Sequence, residues 1–108
     1  MSETLARIKH LVAEGVLLVS VHGYEELAAD GILFLEVRDG LSAAEVVEDY
    51  PDASKGPSVL VLQKDANGRP IHVVWGIPKG KPGPAVLVTA YRPEPTRWST
   101  DFKRRKKQ

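Results

Sequence analysis

At 108 residues, 43% hydrophobic and 27% charged, the chain has the size and balance of one globular domain rather than a disordered or fibrous one. Its longest apolar run, Gly15 to Val19, is far short of the ~20 residues a membrane helix needs, and Met1 to Thr4 lack the basic-then-apolar layout of a signal peptide. With no cysteine, disulfides and thiolate metal sites are excluded, and a cytoplasmic location is the expectation.

The net charge of +1 hides an asymmetry. Residues 92–108 hold seven Lys/Arg against Glu94 and Asp101, a net +5, which leaves residues 1–91 at −4. The chain therefore reads as a single domain over residues 1–102 followed by a basic tail, 103–108. Such a tail can meet a polyanion or the acidic body of a neighbouring molecule.

In chain order, Leu5, Ile8, Leu11 and Val12 have helical spacing and Gly15 stands where a helix ends, which predicts an amphipathic helix over about residues 3–14. The β-branched and Leu-rich run Val16 to Val21 predicts a short buried strand that delivers His22 at its end. His22 to Gly31 reads as a short helix stopped by Asp30-Gly31. The apolar density of Ile32 to Arg38 suits a strand, and Ser42 to Glu45 has the form of a capping box.

The second half is plainer. Ser58 to Lys64, Ile71 to Ile77 and Ala85 to Tyr91 predict three strands. Asp65 to Gly68 makes a hairpin turn, because Asn67-Gly68 accepts positive φ, and Pro78 to Pro84 forms a longer loop. An antiparallel meander follows from these short connections. With Asn67-Gly68 as the two central turn residues, Leu60 lies opposite Trp75 and Leu62 opposite Val73, one face for the helices. The other face then carries Val59, Val61, Gln63, His72, Val74 and Gly76. Pro93 and Pro95 end the pattern, and Trp98 and Phe102 at helical spacing predict a short terminal helix with Lys103 to Lys107 trailing into solvent.

Several matched segments carry a resemblance: Ser20 and His22 at the junction, Gly31-Ile32, Tyr50-Pro51-Asp52, Ser58 to Leu62, Asn67 to Val74, Thr89 to Pro93, and Trp98. Over about residues 20–102 the chain resembles domain of unknown function family 4258, a family likened to small toxin RNases of the RelE/ParE/BrnT kind. Gly23 departs from the commoner alanine after His22, and Ile32 to Arg38 is more apolar than usual. The resemblance implies a short helix over Ile32 to Arg38 and an extended segment from about Glu45 to Asp52. It also implies a RelE-like α+β fold, an antiparallel sheet of about four to five strands with two to three helices packed on one face.

The chain has no phosphate-binding glycine loop, nucleophile elbow or His-Glu-x-x-His helix, and no cofactor or metal is expected. RNA cleavage by 2′-hydroxyl attack needs a base, an acid and a cation for the developing phosphorane charge. His22, His72 and Tyr91 are the candidate catalytic groups. Arg69, Arg92, Arg97, Lys103, Arg104 and Arg105 are the candidate phosphate contacts. The structural alternatives are that His22 caps its helix, that His72 bonds across strands to a group such as Gln63, that Thr89 and Tyr91 are ordinary strand residues, and that the tail is solvated. Two functions stay open at this point. One is an RNA-binding, toxin-like endoribonuclease working without metal, for which the resemblance implies an antitoxin-like protein partner. The other is a non-catalytic module of the same fold that binds protein or nucleic acid.

Overall fold

The computed structural model describes residues 2–106. In chain order these form α1 (Glu3–Ala13), β1 (Leu17–Val19), α2 (Val21–Ala29), α3 (Phe34–Gly40), a 3-10 turn (Leu41–Ala43), β2 (Glu45–Tyr50), β3 (Ser58–Lys64), β4 (Pro70–Gly76) and β5 (Ala85–Tyr91). Among the described residues, five strands make one sheet in the order β1-β5-β4-β3-β2 with the helices on one face, an α+β fold. The meander β3-β4-β5 is antiparallel as expected, and β2 joins β3 antiparallel. The sheet is not wholly antiparallel, however: β1 pairs with β5 in parallel. The chain leaves β1 for two helices and three other strands before it returns beside β1, and a crossover of that length permits parallel pairing.

Local chemistry explains the helical layer. Ser2 caps α1 by accepting from the Leu5 amide at 3.1 Å, and Leu5, Ile8 and Val12 turn inward. Phe34, Val37 and Leu41 follow the three-then-four spacing of one helical face, and α3 forms over the apolar run where density alone suggested a strand. Leu33 and Leu35 are left outside. Ser42 sits in the 3-10 turn, so no helix starts there and β2 follows directly.

The β3–β4 register corrects one expectation. Trp75 lies opposite Val59 and Val73 opposite Val61, one residue from the two-residue-turn alignment. The loop is the reason. Gly68 (φ 77°) donates to the Asp65 carbonyl at 3.0 Å, and the Asp65 amide donates to the Arg69 carbonyl at 3.0 Å. That is the three-residue hairpin with a left-handed glycine, and it shifts the pairing sum by one. Val59, Val61, Val73 and Trp75 therefore face the helices, with Leu5 and Ile8 among their covers, while Leu60 and Leu62 are buried on the opposite face beside His72. Gln63 does not reach His72. It accepts from the Trp75 indole at 3.1 Å and donates to the Val37 carbonyl at 2.7 Å, a buried polar chain from β4 through β3 to α3.

Candidate functional site

The helix-free face of the sheet is half covered by the end of the chain. Residues 98–105 form a hairpin rather than the expected helix: Ser99 donates to the Arg104 carbonyl at 2.8 Å, and Trp98 bridges Arg105 antiparallel. Ser99 and Asp101 build its turn. The Asp101 carboxylate accepts from the Ser99 hydroxyl at 2.6 Å and from the Lys103 amide at 3.0 Å, and Phe102 turns through φ 60°. Lys103 to Lys106 thus belong to a folded element; Lys107, also placed in the solvated run, lies outside the described residues.

Beneath this hairpin lies His72, fully buried. Its Nε2 is 2.8 Å from the Phe102 carbonyl oxygen, which can only accept, so Nε2 carries the hydrogen. Its Nδ1, 3.2 Å from the Tyr91 hydroxyl, then accepts from that phenol. Trp98 stands edge-on to the imidazole at 4.4 Å. Burial holds the His72 pKa below its ordinary value, and burial likewise raises the Tyr91 phenol. The outcome is a neutral imidazole with both nitrogens occupied.

Two carboxylates of β2 hold the hairpin from the side. A bulge between Val46 and Glu48 puts Glu45 and Glu48 on the same face despite their odd spacing. Glu48 receives the Arg105 guanidinium through two bonds of 2.9 and 3.0 Å, and the Tyr50 hydroxyl also donates to it. The Arg105 bond is the main reason the Glu48 pKa is lowered and the Arg105 pKa raised. The same guanidinium lies 4.8 Å from the centre of the Trp98 ring. Lys103 pairs with Glu45.

The other candidates stand apart from this cluster. His22 is the second residue of α2, exposed, with its Nε2 3.7 Å from Glu26. Since α2 packs on the helical side of β5, His22 and His72 lie on opposite sides of the sheet. The α2 cap is Ser20, whose Oγ accepts from the Gly23 amide at 2.9 Å and donates to the Val88 carbonyl at 2.9 Å. Arg92 pairs with the buried Asp65 at 2.9 Å, and its own amide donates to Asp30 at 2.9 Å, so it ties the β3–β4 turn and the end of α2 to β5. Arg69 is exposed on that turn, Arg97 pairs with Glu94 at 3.1 Å, and Arg104 is exposed with no ion pair among the described residues. Thr89 and Tyr91 do share the helix-free face.

Among the described residues no three His, Asp or Glu side chains converge as metal ligands, and no helix is long and apolar enough to cross a membrane. The uncovered half of the face holds an apolar cleft of about 430 Å³ floored by Val74, Gly76, Val86 and Val88.

The family model described as Domain of unknown function (DUF4258) matches residues 19–92, more than half of the chain. The chain belongs to that family. No curated protein and no solved structure matches it. His22, His72, Tyr91 and Arg92 all fall within the DUF4258 span, whereas the hairpin that closes over His72 lies outside it. Sequence reasoning missed Glu45 and Glu48, because two carboxylates three apart in a strand point to opposite faces unless a bulge intervenes.

Proposed function

We propose that this DUF4258 chain is a non-catalytic protein-binding module. One observation carries the reading: His72, the best placed acid–base candidate, is buried with Phe102 on one ring nitrogen and Tyr91 on the other. A general base must reach the proton it abstracts, and this imidazole has no free nitrogen to do so. His22 offers no help from across the sheet.

The cations point the same way. Of the six described basic residues from Arg92 onward, Arg92, Arg97, Lys103 and Arg105 are paired with Asp65, Glu94, Glu45 and Glu48. RNA would have to displace those carboxylates before it gained phosphate contacts. A protein partner is favoured by exposed apolar side chains around β1, among them Leu18, Val21 and Tyr24. An antitoxin-like protein is one partner of that class, and a cytoplasmic location suits the cysteine-free composition.

The resemblance to RelE-type RNases sets the test. Labelled RNA is incubated with the purified chain, with and without chelator, beside His22→Ala, His72→Ala and a form lacking residues 103–108. The expected result is intact RNA and no salt-sensitive retention. Cleavage that His72→Ala or His22→Ala abolishes would overturn the reading in favour of a metal-independent endoribonuclease. RNA bound uncut, with a salt dependence flattened by the truncation, would make the module a nucleic-acid binder.

A further inference from the structure

The sheet has two edges, and they are built differently. β2 carries Glu45, Glu48 and Asp49 and is bulged after Val46, which are the usual protections of an exposed edge. β1 has neither charge nor bulge; it is Leu17-Leu18-Val19. Its ladder to β5 includes the Ala85 amide to the Val16 carbonyl at 3.0 Å and the Ser20 amide to the Leu87 carbonyl at 3.0 Å. In a parallel ladder alternate residues bond to one neighbour, so Val16, Leu18 and Ser20 face β5. The N–H and C=O groups of Leu17 and Val19 point away from it, and no described strand lies beyond them.

Beside this edge both faces have an apolar floor that is open to solvent. On the helical side lies a cleft of about 740 Å³ floored by Val12, Leu17, Val19, Phe34 and Leu41, with the mutually paired Arg38 and Asp39 on its rim. On the other side Leu18 is 59% exposed and continues into Val86 and Val88. Lys9 stands at the rim of the cleft, its Nζ held by the Ser42 carbonyl at 3.2 Å, with no carboxylate partner among the described residues.

We propose that β1 is a docking edge for an extended segment of a protein partner, which adds to the sheet as a sixth strand. The inference rests on the protein-binding reading above and names the surface it uses. Outward donors and acceptors two residues apart are matched by the main chain of a strand. The alternation of that strand then sends every second side chain into the cleft and the others onto Leu18, Val86 and Val88. Apolar residues suit both sets, and one acidic residue on the cleft side meets Lys9.

The test uses the full chain, ¹⁵N-labelled, and an acetylated six-residue peptide of alternating valine and threonine that carries one glutamate. Binding should slow amide exchange at Leu17 and Val19 and shift the resonances of Val12, Phe34 and Val86. The same peptide N-methylated at alternate residues should bind at least about tenfold more weakly, because its bonding donors are gone. Lys9→Ala should also weaken binding, and Leu18→Lys, checked for folding by circular dichroism, should reduce it by placing a charge beside the edge. No perturbation at millimolar peptide overturns the proposal. So does equal binding of the N-methylated form, or perturbation confined to the Val74–Val88 cleft. Leu17 and Val19 amides that become protected as protein concentration alone rises would assign the edge to a second copy and overturn it as well. Peptide held elsewhere leaves the protein-binding reading standing, whereas RNA cleavage in the preceding assay removes that reading by an independent measurement.

Discussion

His72 donates from Nε2 to the carbonyl oxygen of Phe102, 2.8 Å away and 30 positions further along the chain. That bond joins the middle of the sheet to the tip of the terminal hairpin, and Trp98 fills the space beside it. The basic end of the chain is thereby a structural clasp, held by Glu45 and Glu48 and closed over an imidazole.

Trp98→Ala should open the clasp. Trp98 is 5% exposed, and truncation of a buried aromatic of this size costs about 3 kcal/mol or more. Chemical denaturation should show a loss of that order together with a His72 pKa that rises toward its ordinary range as water enters. Glu48→Gln should cost less, about 1 kcal/mol or below, because its partner Arg105 is largely exposed.

Stability should also depend on pH through His72. Its folded pKa lies below the ordinary 6.5, so near and below 6.5 the unfolded chain binds more protons than the folded one. The contribution is complete above 6.5 and is lost as pH falls toward the folded value. Glu48, lowered from 4.5, adds a second loss in the same direction at more acidic pH. Denaturation curves on either side of 6.5 should show the first loss, and His72→Gln should remove it.

Gly23→Ala tests the packing of α2. A Cβ there would lie 2.7 Å from the Leu87 carbonyl oxygen and 2.9 Å from Leu87 Cδ2. Alanine is the better helix former by about 1 kcal/mol, yet the clash should outweigh that gain and destabilise the protein by roughly 1–2 kcal/mol. A variant more stable than the parent would mean that α2 can move off β5.

Trp75→Ala should cost about 3–5 kcal/mol, since it empties the centre of the core and leaves Gln63 without its indole donor. An unchanged melting temperature would contradict the face assignment.

The three long strands could be read from β-branched runs and their turns, and α1 from the spacing of Leu5, Ile8 and Val12. What escaped depended on single residues. Gly68 in a three-residue loop moved the β3–β4 register by one and sent Leu60 and Leu62 to the other face. Trp98 and Phe102, four apart, suggested a helix, but Ser99 and Asp101 between them form side-chain bonds that close a turn. Ser99 and Asp101 were a legible signal. His72 and Tyr91 stand out in the sequence and do meet; the separation of His22 from them follows from which face α2 covers, a tertiary fact.

A long-range ¹H–¹⁵N spectrum of the His72 ring in the intact chain, followed across pH, tests the closed clasp most directly. The buried ring should show the neutral Nε2–H tautomer, a slowly exchanging Nε2 hydrogen, and a protonation midpoint below the ordinary value of 6.5. An Nδ1–H tautomer, or a protonation midpoint at or above 6.5, would contradict the closed arrangement and point to an accessible acid–base group on this face.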